Sequence, residues 1–308
     1  MTVPHRPLAG CAVNLSISEN DDSAGRGFPG WQVNRLTLQV VAALFGQGAS
    51  VVFGHDWRED GVMEAVYGFA RQMQPPIPLS PADVEAEAEP MLQNRLPWPD
   101  NPYLPETDLE RLSSTLKVQP AGLPAELMPY DEEARGAGPN SNLYRYLRAR
   151  GLTFLRRQLN DLCHARLCLG GRTSGSAGRY PGVIEEALLA IEGNKPLYLA
   201  SFLGGATEQI VDALEGSKMK DDFCPPTSLE RLYENPPVKD LGAHEDRIID
   251  RAALWKRFSE TGAERLATAN GLTLDENNEL LHTPIVDRVI ELVLIGLSRI
   301  RPTLFRPD

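Results

Sequence analysis

The chain has no long apolar run, no paired cysteines and no clustered histidines, and each absence excludes a class of protein. No stretch of its 308 residues approaches the ~20 consecutive apolar side chains that span a bilayer. The residues Met1-Thr-Val-Pro-His-Arg lack the basic-then-apolar layout of a signal peptide, so a cytoplasmic protein is expected. The four cysteines, Cys11, Cys163, Cys168 and Cys224, form no CxxC pair, which predicts thiols rather than bridges. The five histidines form no HxH or HExxH pattern, so no metal or other cofactor is expected. Basic residues are also in deficit. With 31 Lys+Arg against 42 Asp+Glu, the formal charge of -11 argues against nucleic acid and acidic membranes as partners, while leaving room for a local basic pocket.

What remains is globular, with 42% hydrophobic and 24% charged residues. Residues 12–17 (Ala-Val-Asn-Leu-Ser-Ile) read as a first strand followed by a polar loop. Leu36, Val40, Val41, Leu44 and Phe45 recur at helical spacing between about Trp31 and Gln47, and Gly48 stops the segment. The run Ser50-Val-Val-Phe suits a parallel strand buried on both faces, and another helix is expected after Gly61. This alternation predicts a Rossmann-like, doubly wound α/β fold, whose ligands bind beyond the carboxyl ends of the strands.

Between Gln74 and Pro139, which hold 13 of the 25 prolines, the pattern breaks. This segment reads as a Pro-rich insertion, either a surface excursion or a lid, with a short helix over 106–116 and a strand at Leu116-Lys-Val-Gln. From Asn142 the alternation resumes: a helix over 143–164, a strand over 165–169, a helix over 182–192, a strand from Pro196 and a helix over 206–214. Beyond about Ser217 only amphipathic segments appear, around 248–270 and 283–300. The expected division is a sheet domain over 1–215 and an α-helical C-terminal extension over 216–308 packed on it. The stripe Val286, Val289, Ile290, Val293, Leu294 and Leu297 is expected to pack on this chain's own core rather than on a second copy.

Candidate chemistry gathers at strand ends. Two glycine turns, Gly170-Gly171 with the loop to Gly182, and Gly204-Gly205, precede helices, where unpaired amides and the helix dipole favour an anion. Arg172, Arg179 and the pair Arg156-Arg157 accompany the first turn, and guanidinium suits bidentate phosphate capture. Glu185 and Glu186 follow Gly182 in the first helical turn, where a carboxylate also serves as a plain stabiliser. After the second strand, Gly54, His55, Asp56 and Arg58 sit where ribose and phosphate groups would lie; Ser16, Ser18 and Glu19 reach the same place from the first strand. Trp31 and Trp57 are expected to pack in the core rather than to stack on a base.

These residues resemble a family. Arg156-Arg157, the strand ending in Leu169-Gly170-Gly171, and Gly182-Val-Ile-Glu-Glu186 look like the RK and PGGxGTxxE signatures of LOG-type nucleotide phosphoribohydrolases, often labelled lysine decarboxylase-like. The closer match is the broader SLOG superfamily, Rossmann-like domains related to those enzymes, to DprA, and to nucleotide-sensing domains of TRPM channels and bacterial antiviral defence proteins. The resemblance covers roughly residues 9–215. It implies a nucleotide-type ligand (a nucleoside monophosphate, NAD or ADP-ribose) and a catalytic pair, Arg156 and Glu186, that cleaves the bond between base and ribose. It also implies a homodimer, by analogy with related folds. The chain departs from the signature: Cys168-Leu169 replace the proline position, about ten residues are inserted before Gly182, and Val183 stands for the threonine. Two readings stay open. The lack of an evident fused effector favours an N-ribosyl hydrolase, and the departures favour a non-catalytic nucleotide sensor.

Overall fold

The computed structural model describes residues 6–54, 62–73, 90–99, 115–226, 228–241 and 248–304. The first half runs β1 (Ala12–Ser18), α1 (Gly30–Gly46), β2 (Ser50–Phe53), α2 (Val62–Met73), β3 (Leu92–Pro97) and β4 (Leu116–Gly122). After a 3-10 turn at Ala125–Tyr130 come α3 (Asp131–Ala137), α4 (Asn142–Leu162), β5 (Ala165–Gly170), α5 (Gly182–Glu192), β6 (Leu197–Ala200) and α6 (Gly205–Leu214). The remaining helices are α7 (Ser228–Leu232), α8 (Arg251–Asn270), α9 (Leu274–His282) and α10 (Val286–Leu304).

All six strands are parallel and lie in the order β4-β3-β2-β1-β5-β6. The chain winds outward from β1 in one direction and then, through α4, returns to β5 on its other side. That reversal opens a crevice at the carboxyl ends of β1 and β5, the doubly wound arrangement expected from the alternating pattern.

The segment expected as an insertion is corrected here. Its described residues supply β3 and β4, two strands of the same sheet. Two of the segment's prolines fall in strands where a sheet tolerates them: Pro97 ends β3, and Pro120 lies in β4, the outermost strand among the described residues. The helix expected over 106–116 falls almost wholly outside the described residues, which resume at Thr115, and Leu116 begins β4.

Strand alternation assigns the two faces. Val13, Leu15, Leu167 and Leu169 join the largest hydrophobic cluster with Leu36, Val40 and Leu44 of α1 and with Val289, Val293 and Leu297 of α10, so the C-terminal stripe packs on this chain's own core. A second cluster joins Ile184 of α5 and Ile210 of α6 to Trp255 and Phe258 of α8. Helices beyond residue 215 thus help fill both clusters. Buried Asn270 clamps them to the sheet: its Nδ2 donates to the Leu197 carbonyl (3.1 Å), and its own carbonyl accepts from Tyr198 Oη (2.8 Å). All four cysteines are buried and free. Among the described residues no helix is long and apolar enough to cross a membrane.

One surface feature carries a pH dependence. Thr273 and Glu276 form a capping box at the start of α9, and Glu276 Oε1 also accepts from Arg299 Nη2 of α10 (3.0 Å). The Arg299 hydrogen bond, with help from the Thr273 amide, holds the Glu276 carboxyl at about 2. Because the folded value is depressed, its stabilisation is present above the unfolded value near 4.5 and is lost as pH falls towards 2. The melting temperature should therefore drop across that window, and thermal melts of Glu276→Gln should show a shallower drop.

Candidate functional site

The face of the sheet opposite α1 is polar at its centre. On β1, Asn14 and Ser16 alternate with Val13 and Leu15; on β5, Arg166 and Cys168 alternate with Leu167 and Leu169. Register places Asn14 beside Arg166 and Ser16 beside Cys168. Over this face run α4, which brings Thr153 and Arg156 one turn apart, and α5, which brings Glu185 and Glu186.

These side chains form one network of two guanidinium groups and two carboxylates. Arg166, fully buried, donates from Nη1 to Asn14 Oδ1 (2.5 Å), to Ser16 Oγ (2.9 Å) and to Glu186 Oε2 (3.0 Å). The Ser16 hydroxyl donates to the same Glu186 oxygen. Arg156 pairs closely with Glu185 through Nη1 and faces Glu186 Oε1 from Nε at 3.6 Å. Thr153 Oγ1 donates to Glu185 Oε1 (2.6 Å). Burying charge costs several kcal/mol per ion unless it is paired and hydrogen-bonded, and here the charges balance two against two.

The loop between β5 and α5 folds down over Arg156. A side chain at Gly178 would place its Cβ 2.6 Å from Arg156 Nη1, so only glycine lets the backbone lie this close to the guanidinium. Ser176 shapes the bend, donating to the Tyr180 carbonyl (2.8 Å) and accepting from the Gly178 amide (3.2 Å).

Beneath the loop, at the carboxyl ends of β1 and β2, lies a cavity of about 360 Å³. Ser16, Ser18, Glu19 and Gly54 line it from the strand ends, and Arg156, Gly182 and Glu186 from the helices. Arg172 lines its rim with Ser174 and Ser176, and its Nη2 stands 3.8 Å from Glu19 Oε1.

A family model described as SLOG cluster2 matches residues 7–280. The chain belongs to this family. No curated protein and no solved structure matches the chain. SLOG membership points to a nucleotide-related ligand, and the match extends past residue 215 into the C-terminal helices.

In this SLOG protein the residues singled out from the sequence divide into three groups. Ser16, Ser18, Glu19, Gly54, Arg156, Arg172, Gly182 and Glu186 come together at the cavity. Others lie away from its wall. Glu185 sits behind Arg156, and Gly170 accepts on its carbonyl from Thr207 Oγ1 (3.0 Å). The Gly204-Gly205 turn packs on the first one, with the Ala206 amide donating to the Gly171 carbonyl (2.8 Å). Arg179 lies over the Tyr180 ring and donates from Nε to the Ile248 carbonyl (2.8 Å). His55, Asp56 and Arg58, with Trp57, lie outside the described residues. Trp31, expected in the core, is 63% exposed instead, because it occupies the first turn of α1 on the side away from the buried face.

Sequence reasoning missed Arg166, Asn14 and Thr153. The available signal was a charged residue inside a strand otherwise made of apolar side chains, a combination that demands a buried partner. Cys168, also on this face, is no nucleophile: burial pushes its thiol up to about 12, so it stays protonated at neutral pH.

Proposed function

We propose that the cavity binds a nucleotide-derived ligand of the nucleoside monophosphate, NAD or ADP-ribose type, and that Arg156 and Glu186 hydrolyse its N-glycosidic bond. The observation that carries this reading is that both residues line one cavity, with Glu186 Oε1 facing Arg156 Nε at 3.6 Å. The volume lies at the small end of the range for small-molecule sites, about 300–1,000 Å³. In the proposed reaction a water adds at C1′ of the ribose while the bond from C1′ to the base nitrogen breaks. Glu186 takes the water's proton and stabilises the developing oxocarbenium charge; the base nitrogen keeps the electron pair of the broken bond, so adenine or another neutrally linked base takes up a proton from solvent, while nicotinamide, cationic when bound, leaves neutral. In this reading Arg156 orients the ribose or phosphate oxygens, and Ser18 and Ser174, which line the cavity, donate to the ligand.

Released base after incubation with nucleoside monophosphates, NAD and ADP-ribose tests the reading. A non-catalytic sensor is favoured by one observation: Ser16 and Arg166 already engage Glu186 Oε2. Absence of base release together with a ligand-induced rise in melting temperature would select it.

The arginines at the loop separate in the same assay. Arg172→Ala should weaken nucleoside monophosphates by about 3–10-fold relative to the matching nucleosides, a modest effect because the group is exposed and faces Glu19. Arg179→Ala, at a side chain that donates to the Ile248 carbonyl and does not line the cavity, should leave that ratio unchanged. Isothermal titration of each pair of ligands measures both.

A further inference from the structure

We propose that Arg166 is the positioning residue for Glu186; this inference rests on the hydrolytic reading above. Arg166 is fully buried and does not line the cavity, so it acts through another group. Its three contacts, Asn14 Oδ1, Ser16 Oγ and Glu186 Oε2, are all made by one nitrogen, Nη1. Nε and Nη2, equally buried, have no hydrogen-bond partner among the described residues. A guanidinium kept for stability alone would match its donors, and an apolar side chain of similar size would fill the space at lower cost. What the guanidinium adds is a fixed charge behind one oxygen of a cavity carboxylate.

The geometry defines how it acts. Ser16 accepts from Arg166 and donates to Glu186, so the hydroxyl relays the orientation of the cation to the carboxylate. Asn14 holds Arg166 from the neighbouring position on the same face of β1, and its Nδ2 is itself anchored to the Val52 carbonyl at 3.1 Å. Glu186 Oε2 is thereby fixed against the sheet, and Oε1 is the oxygen left for water and ribose. Arg156 pairs closely with Glu185 and stands 3.6 Å from Glu186 Oε1, whereas Arg166 lies 3.0 Å from Oε2, so Arg166 is the nearer cation to Glu186.

The test is a double-mutant cycle on base release, with Arg166→Met and Glu186→Gln singly and together, Arg166→Lys as the charge-conserving variant, and KM and melting temperature recorded for each. Arg166→Met should lower kcat about tenfold or more and change KM less than about threefold, as loss of an outer-shell orienting group does. Arg166→Lys should recover part of the rate. In the Glu186→Gln background Arg166→Met should add no further loss, because the group it positions is gone. An equal further loss there, or a loss expressed in KM alone, overturns the proposal. Should Arg166→Met fail to fold, Ser16→Ala removes the relaying hydroxyl and is read in the same cycle. A wild-type protein that releases base but gives an additive cycle overturns this inference alone. One that releases none from any nucleotide overturns the hydrolytic reading and this inference with it.

Discussion

Glu186→Gln is expected to lower base release by about 100-fold or more while leaving nucleotide affinity within about threefold. The substitution keeps the size and most of the contacts of the side chain and removes the negative charge. A neutral amide neither takes a proton from water nor stabilises positive charge at C1′, so the loss falls on kcat. In the proposed binding mode the ligand is held by the loop, Arg172 and the hydroxyls of Ser18 and Ser174, none of which the substitution replaces. Single-turnover kinetics with a titration of the same ligand separate the two quantities. Unchanged turnover would remove Glu186 from the mechanism. A matching loss of affinity would make it a binding group instead.

The second large effect is on stability. Gly205 begins α6 with φ +67, and an added Cβ would fall on the Gly171 carbonyl oxygen and 2.7 Å from Asn20 Cγ. Neither neighbour is free to move: the Gly171 carbonyl accepts from the Ala206 amide, and Asn20 Nδ2 donates to the Leu203 carbonyl (3.0 Å). Gly205→Ala therefore combines left-handed backbone strain with overpacking against main chain, about 2–4 kcal/mol in all. For a chain of this size that is a fall in melting temperature of roughly 3–6 °C, which calorimetry reads directly. The same substitution should loosen the loop over Arg156, since the two turns are packed on each other. A melting temperature unchanged within about 1 °C (about 0.6 kcal/mol) would mean that the turn relaxes without cost.

The sequence was most legible where one side-chain period persisted. The α1 segment, the short buried strands and the C-terminal stripe each obeyed a single repeat, and each repeat reports one local conformation. Ser16 and Glu186 could be singled out because polar and charged residues near strand ends and helix starts are where a doubly wound sheet exposes its ligand crevice; Arg156, inside α4, stood out through its nearness in sequence to the glycine turn and its resemblance to the RK signature. β4 was legible as a strand at Leu116-Lys-Val-Gln but not as part of the main sheet, and β3 was obscured by proline, whose meaning depends on where in a sheet a strand lies; strand position is not a local property.

By itself, then, the sequence determined the longer elements, their parallel winding and the end of the sheet that holds the cavity, because those follow from periodicity and chain direction. Only the tertiary structure decided that Arg166 stands behind Glu186, that Glu185 occupies Arg156, that Arg179 turns away to Ile248, and that the second glycine turn is consumed in packing. These outcomes depend on which side chains from β1, α4, β5 and α5 meet across some 170 residues of chain, as Ser16 and Glu186 do. A buried charge takes its partner from whatever the fold brings beside it, and no local pattern encodes that choice.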